Sequence, residues 1–385
     1  MGEVLSSVFV GVVNITWQEL VMFVIGGVLI FLAIKKEYEP MLLLPIGFGA
    51  ILVNLPLMTV WETTSGEPGF LHSLYDFGIV TEMFPLLIFV AVGAMIDFSQ
   101  LLKSPKMLLF GAAAQFGIFF TVLAALVIGQ IFPELGIGLK EAGAIGIIGA
   151  ADGPTSIFAA KILAPQFLGP ITVAAYSYMS LVPVIQPPVI RALTTKKERL
   201  IRMNYKDTGV SKTALIIFPI VVTVVAGIFA PEGAALVGSL MFGNLIRECG
   251  VLERLSKTAQ NELANLITLL LGITIGATMR AADFIQPTTF LILGLGFVAF
   301  VFDTAGGVLF AKFLNLFSKE KINPMVGAAG ISAFPMSARI IQKMAKEEDP
   351  TNFILMQSVS ANVSGQIGSV IAGGFILQLI PMLLK

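Results

Sequence analysis

Long apolar stretches recur along the chain, and short segments that hold most of the charges separate them. The stretches are Leu20–Ile34, Met41–Leu55, Phe84–Ile96, Met107–Ile131, Ile171–Val189, Ala214–Phe229, Gly233–Leu245, Leu266–Met279, Phe290–Phe310 and Phe353–Leu377. A helix needs about 20 mostly apolar residues to cross a bilayer. The pattern predicts an all-α polytopic membrane protein with about ten transmembrane helices. The weaker segment Val4–Ile15 favours an interfacial helix over a cleaved signal peptide, since no basic residue precedes it.

The composition supports a membrane protein and excludes some kinds of structural and metal site. Of 385 residues, 56% are hydrophobic and 12% are charged, and the mean hydropathy is +0.91. One Cys and one His exclude disulfide frameworks and histidine-built metal centres. The net charge of zero gives no reason to expect nucleic-acid binding.

The positions of Lys and Arg predict the orientation. The loop Arg191–Lys212 holds seven basic residues against two acidic ones, which predicts a cytoplasmic location. The segment Pro56–Glu82 has neither Lys nor Arg and is expected outside. Between these markers, the apolar stretch Glu141–Leu163 cannot make a full crossing. It contains Asp152-Gly-Pro154, a helix-breaking turn signal, and therefore predicts a re-entrant or broken helix that lines a cavity.

A weak internal repeat indicates a second such element. Gly149–Ser156 aligns without a gap on Gly330–Ser337, with Gly, Pro and Ser in common. Compositional bias toward Leu, Gly and Ala could produce such a match by chance. Five predicted crossings separate the two units, so the units are expected to be inverted, as in alternating-access transporters.

The predicted organisation follows from this repeat. Residues 1–82 hold the interfacial helix and two spans, residues 83–195 the first repeat with re-entrant segment 141–163, residues 196–264 the basic loop and connecting spans, and residues 265–385 the second repeat with re-entrant segment 322–338.

The candidate functional residues lie on the two breaks. Asp152 is an acid inside an apolar segment, which is costly and usually marks an ion or proton site. The alternative is that Asp152 only caps the helix that begins at Pro154, and the two roles are compatible. Asn323 and Ser332 offer oxygen ligands that suit a hard cation such as Na⁺. Asn362, Gln366 and Ser369 lie at helical spacings of four and three and form one polar helix face, for which interhelical hydrogen bonding is the competing interpretation.

Three other positions are weaker candidates. Tyr176 and Tyr178 are two apart on a helix and so point to different sides. Asp303 is a second intramembrane acid and a candidate proton relay, unless it caps a helix or pairs with a base such as Arg280. Arg339 follows the second break and either binds an anionic group or marks the cytoplasmic end of a helix.

Several segments together resemble one family. These are GAADGPTSIFAAKILAP, AYSYMSLVPVIQPP, INPMVGAAGISAFPMSAR and SANVSGQIGSVIAGG. The chain resembles the β subunits of sodium-pumping biotin-dependent decarboxylases, which act on oxaloacetate, methylmalonyl-CoA or glutaconyl-CoA. The resemblance implies an enzyme subunit of the prokaryotic cytoplasmic membrane that decarboxylates carboxybiotin, consumes a proton and exports Na⁺. It implies a carboxyltransferase α subunit, a biotin-carrier subunit that supplies carboxybiotin, and a small membrane subunit as partners, and it leaves a homo-oligomer open.

The resemblance also implies roles for single residues. Asp152 would be the principal Na⁺ carboxylate and Tyr178 its polar partner in catalysis. Asn323, Gly327, Ser332, Arg339 and Asn362 match positions implicated in Na⁺ binding or carboxybiotin handling, with Arg339 also catalytic. From the residues alone, a secondary Na⁺/H⁺ antiporter or a Na⁺-coupled organic-anion transporter remains the alternative function.

Overall fold

The computed structural model describes residues 14–37, 40–56, 59–63, 65–203 and 209–384, and these residues are almost entirely helical. The first half contains α1 (Trp17–Lys36), α2 (Pro40–Val53), α3 (Phe70–Tyr75), α4 (Met83–Met95), α5 (Ser99–Lys103), α6 (Leu108–Ala114), α7 (Phe116–Ile131), α8 (Leu139–Gly146), α9 (Gly153–Leu163), α10 (Leu168–Ser180), α11 (Val182–Leu193) and α12 (Lys196–Arg199). The second half contains α13 (Lys212–Phe229), α14 (Ala234–Glu248), α15 (Glu253–Thr258), α16 (Ala264–Ala277), α17 (Ala281–Phe284), α18 (Pro287–Phe317), α19 (Pro324–Ala328), α20 (Met336–Glu348) and α21 (Leu355–Leu383). The all-α prediction is confirmed. The predicted interfacial helix lies almost wholly outside the described residues.

The described helices support several membrane crossings. Five are long and apolar enough to cross, and two bent helix pairs would raise the number to seven. The helices α2, α14 and α16 have only 14 or 15 residues each, which is short of the roughly 20 that a crossing needs. The predicted count of ten crossings is therefore not confirmed.

One predicted span is bent. The sequence predicts a single helix over Ile171–Val189, but the axes of α10 and α11 differ by 67°. Pro183 lies in the first turn of α11, where it lacks an amide hydrogen and cannot continue the preceding helix. Proline in an apolar run was the signal for this bend.

The order of elements repeats over nearly the whole described chain. A unit from α1 to α11 and a unit from α13 to α21 follow the same order. Each runs through two helices, a short helix that ends in a π-turn, a further helix, a very short helix, a long segment, a broken pair and a last helix, which is bent in the first unit. The π-turns cover Asp76–Val80 in the first unit and Ala259–Leu263 in the second. This repeat is longer than the units predicted from sequence, because α1–α2 and α13–α14 belong to it.

The two units pack through equivalent close contacts. Helix α2 packs on α16, and α14 packs on α4. A Cβ on Gly49 would lie 2.4 Å from the carbonyl oxygen of Ile273, and one on Gly243 would lie 1.9 Å from that of Val90. Small residues let helix backbones approach closely, which supplies packing energy inside a membrane.

A pair of asparagines fixes these contacts. The Asn54 side-chain amide donates to the Met279 carbonyl at 2.7 Å, just after α16 ends. The Asn244 amide donates to the Ile96 carbonyl at 3.0 Å, just after α4 ends. Each unit therefore satisfies a free helix-end carbonyl of the other unit.

Candidate functional site

Each unit contains a helical hairpin that returns to the end of the bundle from which it starts. Helices α8 and α9 form hairpin 1, and Glu141 near its start accepts a hydrogen bond of 2.9 Å from Gln166 just beyond its end. Helices α19 and α20 form hairpin 2, and Asn323 before it and Asn352 after it both donate to the Arg199 carbonyl. Neither hairpin crosses the bundle.

The tip of hairpin 1 carries a buried carboxylate. A 3₁₀ turn follows α8, Ala151 adopts a left-handed conformation with φ of 52°, and Asp152 begins α9 as its N-cap. Asp152 is only 3% exposed. Its carboxylate accepts hydrogen bonds from the Thr155 hydroxyl at 2.8 Å and the Thr155 amide at 3.4 Å. Asp152 thus performs the capping role that the Asp-Gly-Pro signal predicts.

A residue of the second unit also contacts the Asp152 carboxylate. The Ser369 hydroxyl on α21 donates to Oδ2 of Asp152 at 2.9 Å. The cap is therefore also part of a contact between the two units. Three side-chain oxygen groups converge here, from Asp152, Thr155 and Ser369, and oxygen ligands suit hard cations.

The tips of the two hairpins touch. The Ser332 amide of hairpin 2 donates to the Ala150 carbonyl of hairpin 1 at 3.1 Å. The Ser332 hydroxyl donates to the Gly365 carbonyl on α21 at 2.9 Å. A Cβ on Gly365 would lie 2.3 Å from the Gly330 carbonyl oxygen, so only glycine fits where α21 passes the tip.

One face of α21 serves both tips. The Asn362 amide donates to the Ile331 carbonyl at 2.6 Å, and the Gln366 amide donates to the Ser332 carbonyl. Ser369 completes this face at Asp152. The Asn362 Oδ1 atom is buried and has no hydrogen-bond partner among the described residues. The helical spacing predicted this polar face, and its hydrogen bonds hold unwound backbone, which has no helical partners of its own.

The two candidate tyrosines lie on different sides of hairpin 1. The Tyr176 ring is buried against Gly153, so a Cβ on that glycine would lie 2.2 Å from the ring. Tyr178 is half-buried, and its hydroxyl donates to the Leu293 carbonyl on α18. Tyr178 also packs against an apolar cluster that includes Ala151 of hairpin 1. The structure thus places Tyr176 against Gly153 and Tyr178 against the apolar cluster that includes Ala151.

Other predicted site residues lie away from Asp152. Asn323 lies at the base of hairpin 2, where its amide donates to the carbonyls of Arg199 and Ile201 at 2.8 and 2.9 Å. Gly327 packs on α18, since a Cβ there would lie 2.0 Å from the Gly307 carbonyl oxygen. Arg339 is exposed, one turn into α20.

Asp303 lies on the opposite side of the hairpin 1 tip. It is 1% exposed and forms no ion pair with any described residue. Arg280, the base considered as its partner, is instead 3.6 Å from Asp283. A Cβ on Gly149 would lie 2.9 Å from Asp303 Oδ2. Two buried acids therefore flank one hairpin tip.

A layer of ion pairs joins the basic loop to the base of hairpin 2. Arg199 contacts Glu348 at 2.6 Å, and Arg202 contacts Asp349 at 2.6 Å. Hydrogen bonds from Thr351, together with Arg202, lower the pKa of Asp349 to about 2. This loop is the one predicted to be cytoplasmic, which places the base of hairpin 2 on the same side.

Two broken hairpins that meet at a buried carboxylate are typical of ion-translocating membrane proteins, and this arrangement indicates that class for the chain. Comparisons with known proteins specify the family. The model for the β subunit of Na⁺-transporting oxaloacetate decarboxylase matches residues 18–380. The chain belongs to this family, and the predictions of a membrane location and of a decarboxylase subunit are confirmed.

Curated relatives agree over nearly their full length. The methylmalonyl-CoA decarboxylase subunit β of Propionigenium modestum is 49% identical and covers 96% of both chains. The glutaconyl-CoA decarboxylase subunit β of Acidaminococcus fermentans is 48% identical over 96% of this chain and 95% of its own. The oxaloacetate decarboxylase β chain 2 of Salmonella typhi is 45% identical over 96% of both. A multi-subunit, Na⁺-transporting and biotin-dependent decarboxylase is thus the context of this chain.

Proposed function

We propose that this chain decarboxylates carboxybiotin at its cytoplasmic side, takes up a proton and exports Na⁺ through the meeting point of the two hairpins. The observation that carries the proposal is the buried Asp152 carboxylate, held by Thr155 of its own hairpin and Ser369 of the other unit. The alternative of a secondary antiporter or organic-anion transporter is not favoured by the family to which the chain belongs.

The donor set suits Na⁺ as the transported cation. Hydroxyl and carboxylate oxygens surround Asp152, and no group of three or more His, Cys, Asp or Glu side chains occurs among the described residues. A single carboxylate balances a monovalent charge. We assign Asp152, with Thr155 and Ser369, to Na⁺ binding, and we assign Asn362 and Ser332 to the wall that hairpin 2 contributes.

The chemical step links this site to a proton. Decarboxylation breaks the bond between the ureido nitrogen and the carboxylate carbon, releases CO₂ and leaves a nitrogen that takes up one proton. A buried carboxylate must be neutralised by a cation or by a proton. Asp152 therefore exchanges Na⁺ for H⁺ as the site changes its exposure, which couples the two ions through one group. Tyr178, half-buried between hairpin 1 and α18, is proposed as a polar group on the proton route.

Carboxybiotin handling is assigned to hairpin 2. Arg339 is exposed and can bind the carboxylate of carboxybiotin as the substrate arrives. Asn323 and Gly327 position the hairpin, because Asn323 anchors its base and Gly327 allows its close contact with α18. The carboxybiotin comes from a biotin-carrier subunit that a carboxyltransferase α subunit loads, and a small membrane subunit completes the complex.

The two structural units are proposed to be inverted in the bilayer. In this proposal hairpin 1 enters from the outer face and hairpin 2 from the cytoplasmic face, which the odd number of crossings predicted between them supports. Opposite entry gives Asp152 a route to each side. Accessibility mapping should find Lys319 in the cytoplasm and Trp61 outside, and the same side for both would remove the inversion.

The function is tested with the assembled complex. Asp152→Asn keeps the side-chain size but removes the charge, so Na⁺-stimulated carboxybiotin decarboxylation should be lost while the complex with its biotinylated subunit still purifies. Asp76→Asn, at an exposed residue of the first π-turn, is the matched control. Retained Na⁺-dependent turnover in Asp152→Asn would reduce Asp152 to a helix cap.

A further inference from the structure

Helix α20 has a face of basic side chains, most of which form no hydrogen bond or ion pair with the described residues. Arg339, Lys343 and Lys346 are exposed and follow one another at spacings of four and three, which places them on one side of the helix. The opposite side is buried and contains Ser337, Ala338, Ile341, Gln342, Met344 and Ala345. No large apolar side chain of α20 is exposed. The name basic face refers below to Arg339, Lys343 and Lys346.

This face extends from the cytoplasmic surface toward the hairpin tips. The C-terminal end of α20 is fixed at the surface by the ion pair between Arg199 and Glu348. The N-terminal end follows the tip residue Ser332, which contacts hairpin 1. With a rise of about 1.5 Å per residue, Arg339 lies about 14 Å from Glu348 along the helix axis, in the direction of the hairpin tips.

Charged side chains on a hairpin that enters the membrane must face water. A cation in contact with lipid tails is costly, and Lys or Arg at membrane depth normally lines a water-filled cavity. Arg339, Lys343, Lys346 and Glu347 line a depression of about 420 Å³ together with Gln342. The basic face therefore lines an open depression, called the vestibule below, on the side of the molecule that carries the basic loop.

Helix α9 of hairpin 1 has no comparable basic face. Every residue of α9 from Thr155 to Ala160 is buried. The one basic residue of α9, Lys161, forms an ion pair of 2.5 Å with Glu82.

The charges of the vestibule favour an anion. Glu347 is its one acid, and Arg191 holds that carboxylate at 3.0 Å. Neither Arg339 nor Lys343 forms an ion pair with a described residue, and Lys346 lies 5.0 Å from the centre of the Phe353 ring. Clefts lined by one sign of charge concentrate ligands of the opposite sign.

We infer that Lys343 and Lys346 guide an anionic carboxylate on a long flexible arm along α20 to Arg339. The helix rises about 10 Å from Lys346 to Arg339, so each turn presents one basic side chain. This inference rests on the proposed function, since it identifies the arm as carboxybiotin attached to its carrier. The two lysines act before the chemical step, so they set capture of the substrate and not the rate of bond breaking.

The test uses the full chain in nanodiscs and a soluble carboxylated biotin-carrier domain as substrate. Lys343→Gln with Lys346→Gln should raise KM roughly tenfold at low salt and leave kcat within about twofold, because only long-range attraction is lost. The difference from wild type should vanish near 1 M salt, where the Debye length is about 3 Å. Lys319→Gln, which removes an exposed lysine elsewhere on the same side, should change neither constant.

Three outcomes would overturn the inference. The first is a KM for the double variant that equals that of Lys319→Gln. The second is a KM change that occurs only in nanodiscs with anionic lipid and is absent in neutral lipid, which would assign the lysines to headgroup contacts. The third is a loss of kcat at unchanged KM. Failure of the wild-type chain to decarboxylate the substrate would instead contradict the proposed function.

Discussion

The hydrogen bond between Ser369 and Asp152 offers the sharpest quantitative test of the site. Ser369→Ala removes one donor to a buried carboxylate at 2.9 Å. The same hydroxyl also lies 3.0 Å from the Gln366 carbonyl of its own helix. A hydrogen bond to a charged group contributes about 1.5–3 kcal/mol. Since 1.4 kcal/mol is about tenfold, the Na⁺ concentration for half-maximal activity should rise roughly 10- to 150-fold.

The same helix provides a matched control. Ser358 is buried on α21, but its hydroxyl donates only to the Ile354 carbonyl of the preceding turn. Ser358→Ala should therefore leave the Na⁺ dependence within about twofold of wild type. Sodium-stimulated decarboxylation by the purified complex, titrated with NaCl at constant ionic strength, gives both numbers. Equal half-saturation values for the two variants would refute the assignment of Ser369 to the ion site.

A double-mutant cycle extends this test to coupling. Thr155→Val removes the other side-chain hydroxyl on Asp152. Residues that serve one ion couple strongly, so the Na⁺ binding energies of Thr155→Val and Ser369→Ala should not be additive.

Further predictions concern the hairpin tips. Gly365→Ala should abolish activity and lower the melting temperature, because its Cβ would lie 2.3 Å from the Gly330 carbonyl oxygen; wild-type melting and turnover would show that the contact can relax. Tyr176→Phe should raise the Na⁺ half-saturation concentration and Tyr178→Phe should lower the rate at saturating Na⁺, and the reverse pattern in Na⁺ titrations would exchange their roles. Asp303→Asn should remove a group that must be neutralised when buried and so alter the pH profile of decarboxylation; an unchanged profile would make Asp303 a packing residue.

The break in hairpin 1 is visible in the sequence because it carries an explicit helix-breaking signal, whereas the second break is indicated only by the weak internal repeat. Asp152-Gly-Pro154 combines an N-cap with proline, and its conflict with the orientation of neighbouring spans required a return to the same side. The polar face that includes Asn362 and Ser369 followed from helical spacing alone. These features are local in sequence, so pattern analysis could find them.

Contacts between distant segments could not be predicted in the same way. Asn323 was grouped with Ser332 because both lie near the second break, yet Asn323 binds the basic loop more than 120 positions earlier. The closeness of Tyr176 to Gly153, and of Asp303 to Gly149, depends on how α10 and α18 pack on hairpin 1. Helical period states which residues share a face but not which neighbour that face meets.

The full extent of the repeat was also hidden from sequence comparison. The features that the two units share most clearly are pairs of close helix contacts, such as those of Gly49 and Gly243. Such contacts need only a small residue at each position. In a chain with 38 glycines, such matches carry little information until the packing is known.

We propose that decarboxylation drives Na⁺ through the Asp152 site. A measurement of Na⁺ transport across a membrane tests this proposal most directly. The complex would be reconstituted into proteoliposomes with its cytoplasmic face outward, and uptake of radioactive Na⁺ would be followed after substrate is added. We expect wild-type complex to accumulate Na⁺ only while decarboxylation proceeds, and Asp152→Asn to lose both activities together. Accumulation of Na⁺ by Asp152→Asn at the wild-type rate, or wild-type decarboxylation without Na⁺ uptake, would contradict the account.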